Sequence, residues 1–219
     1  MGQTCDDLLF AHWRVDPGLL RPHVPERLTL DEHQGSAWIG VAPFVVTGLR
    51  ARGTLPLPYV SSFRELNVRT YVTLDDKPGI WFFSLDLSSR VAVAAARRLY
   101  RLPSFPADIT FDRSPERVLY ECVRNEEKAF SCAYRGLGPP AAPAPESLEQ
   151  FLVERYCLYA EHERQLFRAE IHHRPWPLEA AEASIDLNTM APAGVSIESE
   201  PVVHFSRRQD IVTWSLQPA

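Results

Sequence analysis

Phe63-Arg-Glu-Leu-Asn-Val-Arg-Thr-Tyr-Val72 is the stretch that decides the fold. Phe63, Glu65, Asn67, Arg69 and Tyr71 fall on one face, and Leu66, Val68, Thr70 and Val72 on the other, which is the two-residue period of a β-strand. The turn Asp75-Asp76-Lys77-Pro78-Gly79 follows, then Ile80-Trp-Phe-Phe-Ser-Leu-Asp-Leu87, apolar on nearly both faces. This predicts a hairpin whose second strand sits inside a sheet. Ser88 or Ser89 is placed to cap a helix over 90–101, with Val91, Ala95, Leu99 and Leu102 sharing a face and Pro103 ending it.

Outward from this hairpin the same period dominates. Residues 8–15 alternate as a half-buried strand, and Asp16-Pro17 starts a short helix to Leu20. Residues 28–30, the turn 31–35 and the run 36–49 read as another hairpin, with Pro43 marking a bulge or an edge. Residues 50–61 are a Gly/Pro-punctuated loop, and 117–123 with 129–135 flank a turn at 124–128. The tract 136–146 is rich in Pro, Ala and Gly and reads as a surface loop, after which Ser147 and Gln150 form a capping pair. Four more strand-like runs lie at 155–161, 166–173, 202–206 and 211–216. Roughly ten strands with a single long helix predict a β-rich α+β fold. The expected form is a mostly antiparallel curled sheet or cone-like barrel carrying one main helix, built as a single domain over 1–219.

The chain has 219 residues and a net charge of −5, which argues against nucleic acid or an anionic membrane as partner. No window approaches the length of a membrane-spanning helix, and no secretory signal is legible, so the expected location is cytoplasmic. Cys5, Cys122, Cys132 and Cys157 form no CxxC pair and read as free thiols, although Cys122 and Cys132 flank one turn almost symmetrically. Gly136-Leu-Gly138 begins like a phosphate loop, but Pro139 and Pro140 have no N–H to donate. His172 and His173, adjacent on a strand, point to opposite faces, and no other spacing suits a metal, so neither metal nor cofactor is expected. Arg97, Arg98 and Arg101 read as a solvated helix face. Only two lysines are present, Lys77 and Lys128, both in polar turns.

The polar face of 63–72 admits two readings. Glu65, Asn67, Arg69 and Tyr71 either line a pocket for a small polar ligand lying over Asn67, or form the water-facing side of an ordinary strand. Successive same-face residues stand about 6.5–7 Å apart, too far for Glu65 and Arg69 to bridge directly along one straight strand.

The segment from Phe63-Arg-Glu to Tyr100-Arg-Leu-Pro-Ser-Phe105, with Trp13-Arg-Val-Asp-Pro-Gly-Leu-Leu-Arg-Pro-His-Val-Pro-Glu-Arg-Leu-Thr-Leu-Asp31, resembles the acetoacetate decarboxylase-like superfamily. Glu65-Leu-Asn-Val-Arg-Thr-Tyr-Val and Ser147-Leu-Glu-Gln-Phe-Leu-Val-Glu-Arg-Tyr156 are similar to its YqjF-like bacterial branch, of unknown function. The resemblance implies a cone-like barrel around a dry pocket, in which a lysine amine would form a Schiff base with a ketone. The superfamily's paired lysines fall here at Ser104 and Phe105, and its amino-terminal pocket arginine at Asp6, whereas its pocket glutamate matches Glu65. A barrel with one carboxylate, and without the decarboxylating amine, is the expected inheritance. Glu65 would then be the acid–base group on a polar or keto-acid-like ligand, Asn67 and Arg69 would position it, and Tyr71, Tyr100 and Ser104 would supply hydroxyls. A non-catalytic binder or sensor, or a structural protein with a filled barrel, are the alternatives.

Overall fold

The computed structural model describes residues 1–51, 53–55, 61–197 and 199–219. The loop expected over 50–61 falls partly at positions 52 and 56–60, outside the described residues. In chain order the first strands are β1 (Gly2–Val15), β2 (Thr29–Leu30), β3 (Ala37–Arg50), β4 (Phe63–Leu74), β5 (Lys77–Leu87), β6 (Ser104–Pro106) and β7 (Asp108–Arg113). There follow β8 (Val118–Val123), β9 (Ala129–Ala141), β10 (Cys157–His162), β11 (Gln165–His172), β12 (Leu178–Asn188), β13 (Val202–Thr213) and β14 (Gln217–Pro218). The helices are α1 (Pro17–Leu20), α2 (Arg90–Tyr100) and α3 (Leu148–Val153). No helix among the described residues is long and apolar enough to cross a membrane.

The hairpin read first is present: β4 and β5 pair antiparallel around Asp75 and Asp76, both in the left-handed region at φ 49° and 59°. That geometry matches the right-handed twist of the flanking strands. Among the described residues, all strands join one 14-stranded mixed sheet, with parallel pairs only between β10 and β5 and between β5 and β6. Its path runs β11-β10-β5-β4-β3-β1-β13, and the pairs Ile171↔Thr213 and His172↔Val212 join β11 back to β13, so these strands close on themselves. From β13 the sheet continues outward through β12, β9, β8 and β7.

This layout buries the central strands on both sides. Phe63 and Tyr71 join an apolar cluster with Leu8, Phe44, Phe82 and α2, whereas Leu66 and Val68 pack against Ile39, Tyr120, Phe130 and Tyr134 across the other face. Leu66 and Val68 are fully buried, each worth about 1.5–3 kcal/mol relative to exposure. A strand with two covered faces has no water-facing side, so the solvated reading of the 63–72 face fails.

Several elements differ from expectation, each for a local reason. Residues 29–30 pair with β4, at Thr29↔Thr73 and Leu30↔Val72, rather than with β3. Pro43 lies in the central strand β3, and the irregularity sits opposite it: β1 advances from Asp6 to Ala11 while β3 recedes from Val45 to Val41, one residue fewer. A bulge there removes the need for the N–H that Pro43 lacks. In α2, Val91 and Leu99 are exposed, and the helix turns Ala92, Val93 and Tyr100 inward. Ser89 caps it, its Oγ accepting from the Ala92 N–H at 3.3 Å. The tract expected as a surface loop is strand as far as Ala141: Gly136 and Leu137 pair with Ala181 and Ala180, and Gly138 takes up a φ of 97° beside the prolines. Residues 202–213 form one strand rather than two, and β6, β7 and β12 had no sequence expectation. Cys122 lies opposite Phe130 and Cys132 opposite Tyr120, so the two thiols are out of register, and all four cysteines are free and buried.

Candidate functional site

The closed strands and α2 surround a cavity of about 150 Å³. Its wall is mostly apolar: Leu8, Phe44, Phe82, Leu85, Leu102 and Trp176 are among the residues that line it. Over one side α2 presents only Ala92, Ala95 and Ala96, with Tyr100 beyond them, so the helix roofs the space without filling it. Glu65, Asn67 and Arg69, from alternate positions of β4, stand in the wall as a polar stripe.

Strand alternation puts these three groups on one face, and the double burial of β4 dehydrates them: they are 8%, 4% and 7% exposed. Desolvation pushes the Glu65 carboxyl up to about 7, with the charge of Asp86 adding to the rise, while the Asn67 amide and Arg69 oppose it. Arg69 has no carboxylate within ion-pair distance among the described residues, and its Nε has no hydrogen-bond partner. The Asn67 Oδ1 is equally without a donor. A buried guanidinium lacking a carboxylate counter-charge is costly.

Of the other residues singled out in the sequence, Tyr100 lines the cavity, its hydroxyl 3.4 Å from the carbonyl of Thr213. Tyr71 and Ser104 do not. Tyr71 stands beside Arg69, with its Oη 2.7 Å from His12 Nε2, and Gly40 leaves the space, since a Cβ there would come 2.9 Å from the His12 ring. Burial and the charge of Arg69 hold His12 well below its ordinary pKa, so the neutral ring accepts a hydrogen bond from the Tyr71 phenol. Tyr71→Phe should therefore strand a buried nitrogen and lower stability by about 1–3 kcal/mol, measured by chemical denaturation. Ser104 is buried, with Oγ 3.3 Å from the Leu102 carbonyl.

Two wall residues escaped the sequence reading. Arg155 is 4% exposed and is fixed by Asp31 at 2.5 Å, by the carbonyl of Phe151, and by the rings of Tyr71 and Phe151. It stands inside the quoted 147–156 motif, but its anchor is 124 residues away, which no local pattern announces. His173 points inward beside Trp176, on the face opposite the exposed His172, as alternation requires.

Residues 2–210 match the family known as DUF2071, described as an uncharacterised conserved protein. The chain belongs to the DUF2071 family. It is 44% identical to the uncharacterised protein YqjF of Bacillus subtilis (strain 168), over 99% of this chain and 91% of that protein. In fold it is similar to the acetoacetate decarboxylase of Legionella pneumophila, with a TM-score of 0.69 at 13% identity over 100% of this chain and 86% of the other. It is similar, too, to the enduracididine biosynthesis enzyme MppR in complex with pyruvate, with a TM-score of 0.69 at 13% identity over 99% and 89% of the two chains. At these identities the likeness shows the acetoacetate decarboxylase-like fold, as the sequence motifs imply.

The DUF2071 member differs from the implied decarboxylase at its amines. Lys77 is paired with Glu170, and Lys128 donates to the carbonyls of Thr189 and Ala191, so neither lysine stands in the cavity wall. Phe105 is clasped between the guanidiniums of Arg97 and Arg124, at 5.8 and 4.2 Å, on the far side of β6 from the buried Ser104. Asp6 accepts from Thr47 at 2.5 Å and pairs with Arg208, outside the wall.

Proposed function

We propose that this DUF2071 protein binds a small keto-acid-like carboxylate in the cavity and exchanges a proton with it through Glu65, without forming an iminium. The observation that carries the reading is the buried guanidinium of Arg69 beside Glu65: Arg69 has no carboxylate partner among the described residues, and its Nε is unbonded. A ligand carboxylate on Arg69 supplies the missing counter-charge, and the Asn67 amide orients the adjoining carbonyl. Glu65, titrating near 7, is half-ionised at neutral pH and suited to take or return a proton at the carbon next to that carbonyl. The apolar wall keeps water from competing, and Tyr100 closes the space beneath the alanines of α2. Pyruvate bound to a protein of the same fold supports the ligand class.

Thermal unfolding and titration calorimetry with pyruvate and acetoacetate test it. Binding should raise the melting temperature, Arg69→Gln should weaken binding by about tenfold or more, and Glu65→Gln should keep binding while abolishing ligand proton exchange seen by NMR in deuterated buffer. Proton exchange that persists in Glu65→Gln, or a failure of either acid to shift unfolding by a degree or two, would overturn the proposal.

A further inference from the structure

Behind the cavity, on the opposite side of β1, lies a second hollow of about 490 Å³ between the β7–β8 turn, β9 and β13. Arg113, Arg117, Arg135 and Arg207 rim it together with the carboxylate of Glu116, Tyr134 and Phe205 form its base, and Asp7 reaches in from the β1 bulge. Three features mark it as constructed. Asp7 holds a left-handed φ of 51° within the bulge that faces Pro43, a conformation that re-aims its side chain, and it is 3% exposed. One Asp7 oxygen pairs with Arg113 at 2.9 Å, and the other, Oδ1, has no partner. Gly136 is bare because a Cβ would come 2.2 Å from the Glu179 carboxylate, and that carboxylate holds Arg207 through contacts of 2.7 and 3.0 Å.

The charges in this hollow are unevenly satisfied. Arg207 and Arg135 are paired with Glu179 and Glu182, and Arg113 is shared with Asp7. Arg117, exposed on the same turn, has no side-chain partner among the described residues. A group with several acceptor oxygens can serve Arg117 and the outer N–H groups of Arg113 together, which a phosphate does better than a carboxylate. The empty Asp7 Oδ1 calls in addition for a donor such as a hydroxyl, and the volume lies in the range that holds a small organic ligand rather than a bare ion.

We propose that this hollow is a second binding site, separate from the cavity, for a hydroxyl-bearing phosphate ester. The phosphate sits on Arg113 and Arg117, a hydroxyl donates to Asp7, and the body of the ligand lies against Tyr134 and Phe205. Calorimetry and amide chemical-shift titration of the full chain with ribose 5-phosphate, inorganic phosphate and ribose at physiological salt test it. Ribose 5-phosphate should bind saturably, about tenfold or more tighter than either part alone, and should shift amides at 113, 114, 116–118 and 136. Arg117→Gln should weaken it by about tenfold, and Arg98→Gln, on the exposed face of α2, should leave it unchanged. The proposal is overturned by non-saturable binding, by equal losses in both arginine variants, or by ribose 5-phosphate binding no tighter than phosphate. Shifts confined to residues of the other cavity would overturn it as well.

Discussion

Arg124→Met should lower the stability of the protein by about 3–5 kcal/mol, a large share of what holds a domain of this size folded. Arg124 opens the turn between β8 and β9, and its guanidinium grips Asp86 of β5 in a fork, Nε to Oδ1 at 2.5 Å and Nη2 to Oδ2 at 2.6 Å. The Asp86 side chain is wholly buried and that of Arg124 is 15% exposed, so water cannot replace the pairing. Without the guanidinium, Asp86 keeps one hydroxyl neighbour, Ser84 Oγ at 3.3 Å, and an uncompensated charge. The double variant Asp86→Leu/Arg124→Met should recover most of the loss, because the cost lies in stranding the charge rather than in lacking the pair. Urea unfolding midpoints of the two variants decide the matter, and equal destabilisation in both would refute it.

Glu65 should make the protein less stable as pH rises, in a window set by its own titration. Its folded-state pKa of about 7 lies above the ordinary glutamate value of about 4.3. Below the ordinary value the group is protonated whether the chain is folded or not, and it exerts no pull. Between the two values the unfolded chain ionises first, which favours unfolding, and above about 7 the deficit is constant. A separation of this size corresponds to about 4 kcal/mol, of which about 3 kcal/mol falls between pH 5 and pH 8. Glu65→Gln removes this dependence, so the variant should gain on the parent across that window when both are followed by urea denaturation. A constant difference between them from pH 5 to pH 8 would contradict the dehydrated carboxyl.

How much of this was readable beforehand follows from how local each cause is. The β4–β5 hairpin announced itself through strict alternation and a turn of aspartates that accept the left-handed region. The same alternation grouped Glu65, Asn67 and Arg69, which do stand together in the cavity wall. Tyr71 stays beside Arg69, but its hydroxyl turns to His12, 59 residues away, through a gap that a glycine on a third strand leaves open. The helix face was misjudged for a related reason. Val91 and Leu99 would be inward residues of a helix seated on a packed core, but α2 spans a hollow and offers its alanines to it. The strand at 136–141 was hidden because its glycines and prolines argue for a loop, and only the long partner β12 keeps them in register. Arg155 and Asp86 were illegible as wall and anchor, since their partners, Asp31 and Arg124, come from other parts of the chain.

The return of β11 to β13 and the parallel join of β10 to β5 each rest on two register pairs, whereas β3 and β4 share seven, from Gly40↔Arg69 to Val46↔Phe63. A hoop breaks most cheaply at its narrowest splices. Loosening at either one forfeits a couple of backbone bonds and leaves the rest of the strands zipped, so fluctuations of the container concentrate on these short joints, beside Ile171 and Thr213 at one and Ile80 and Leu158 at the other, all of which face the enclosed space.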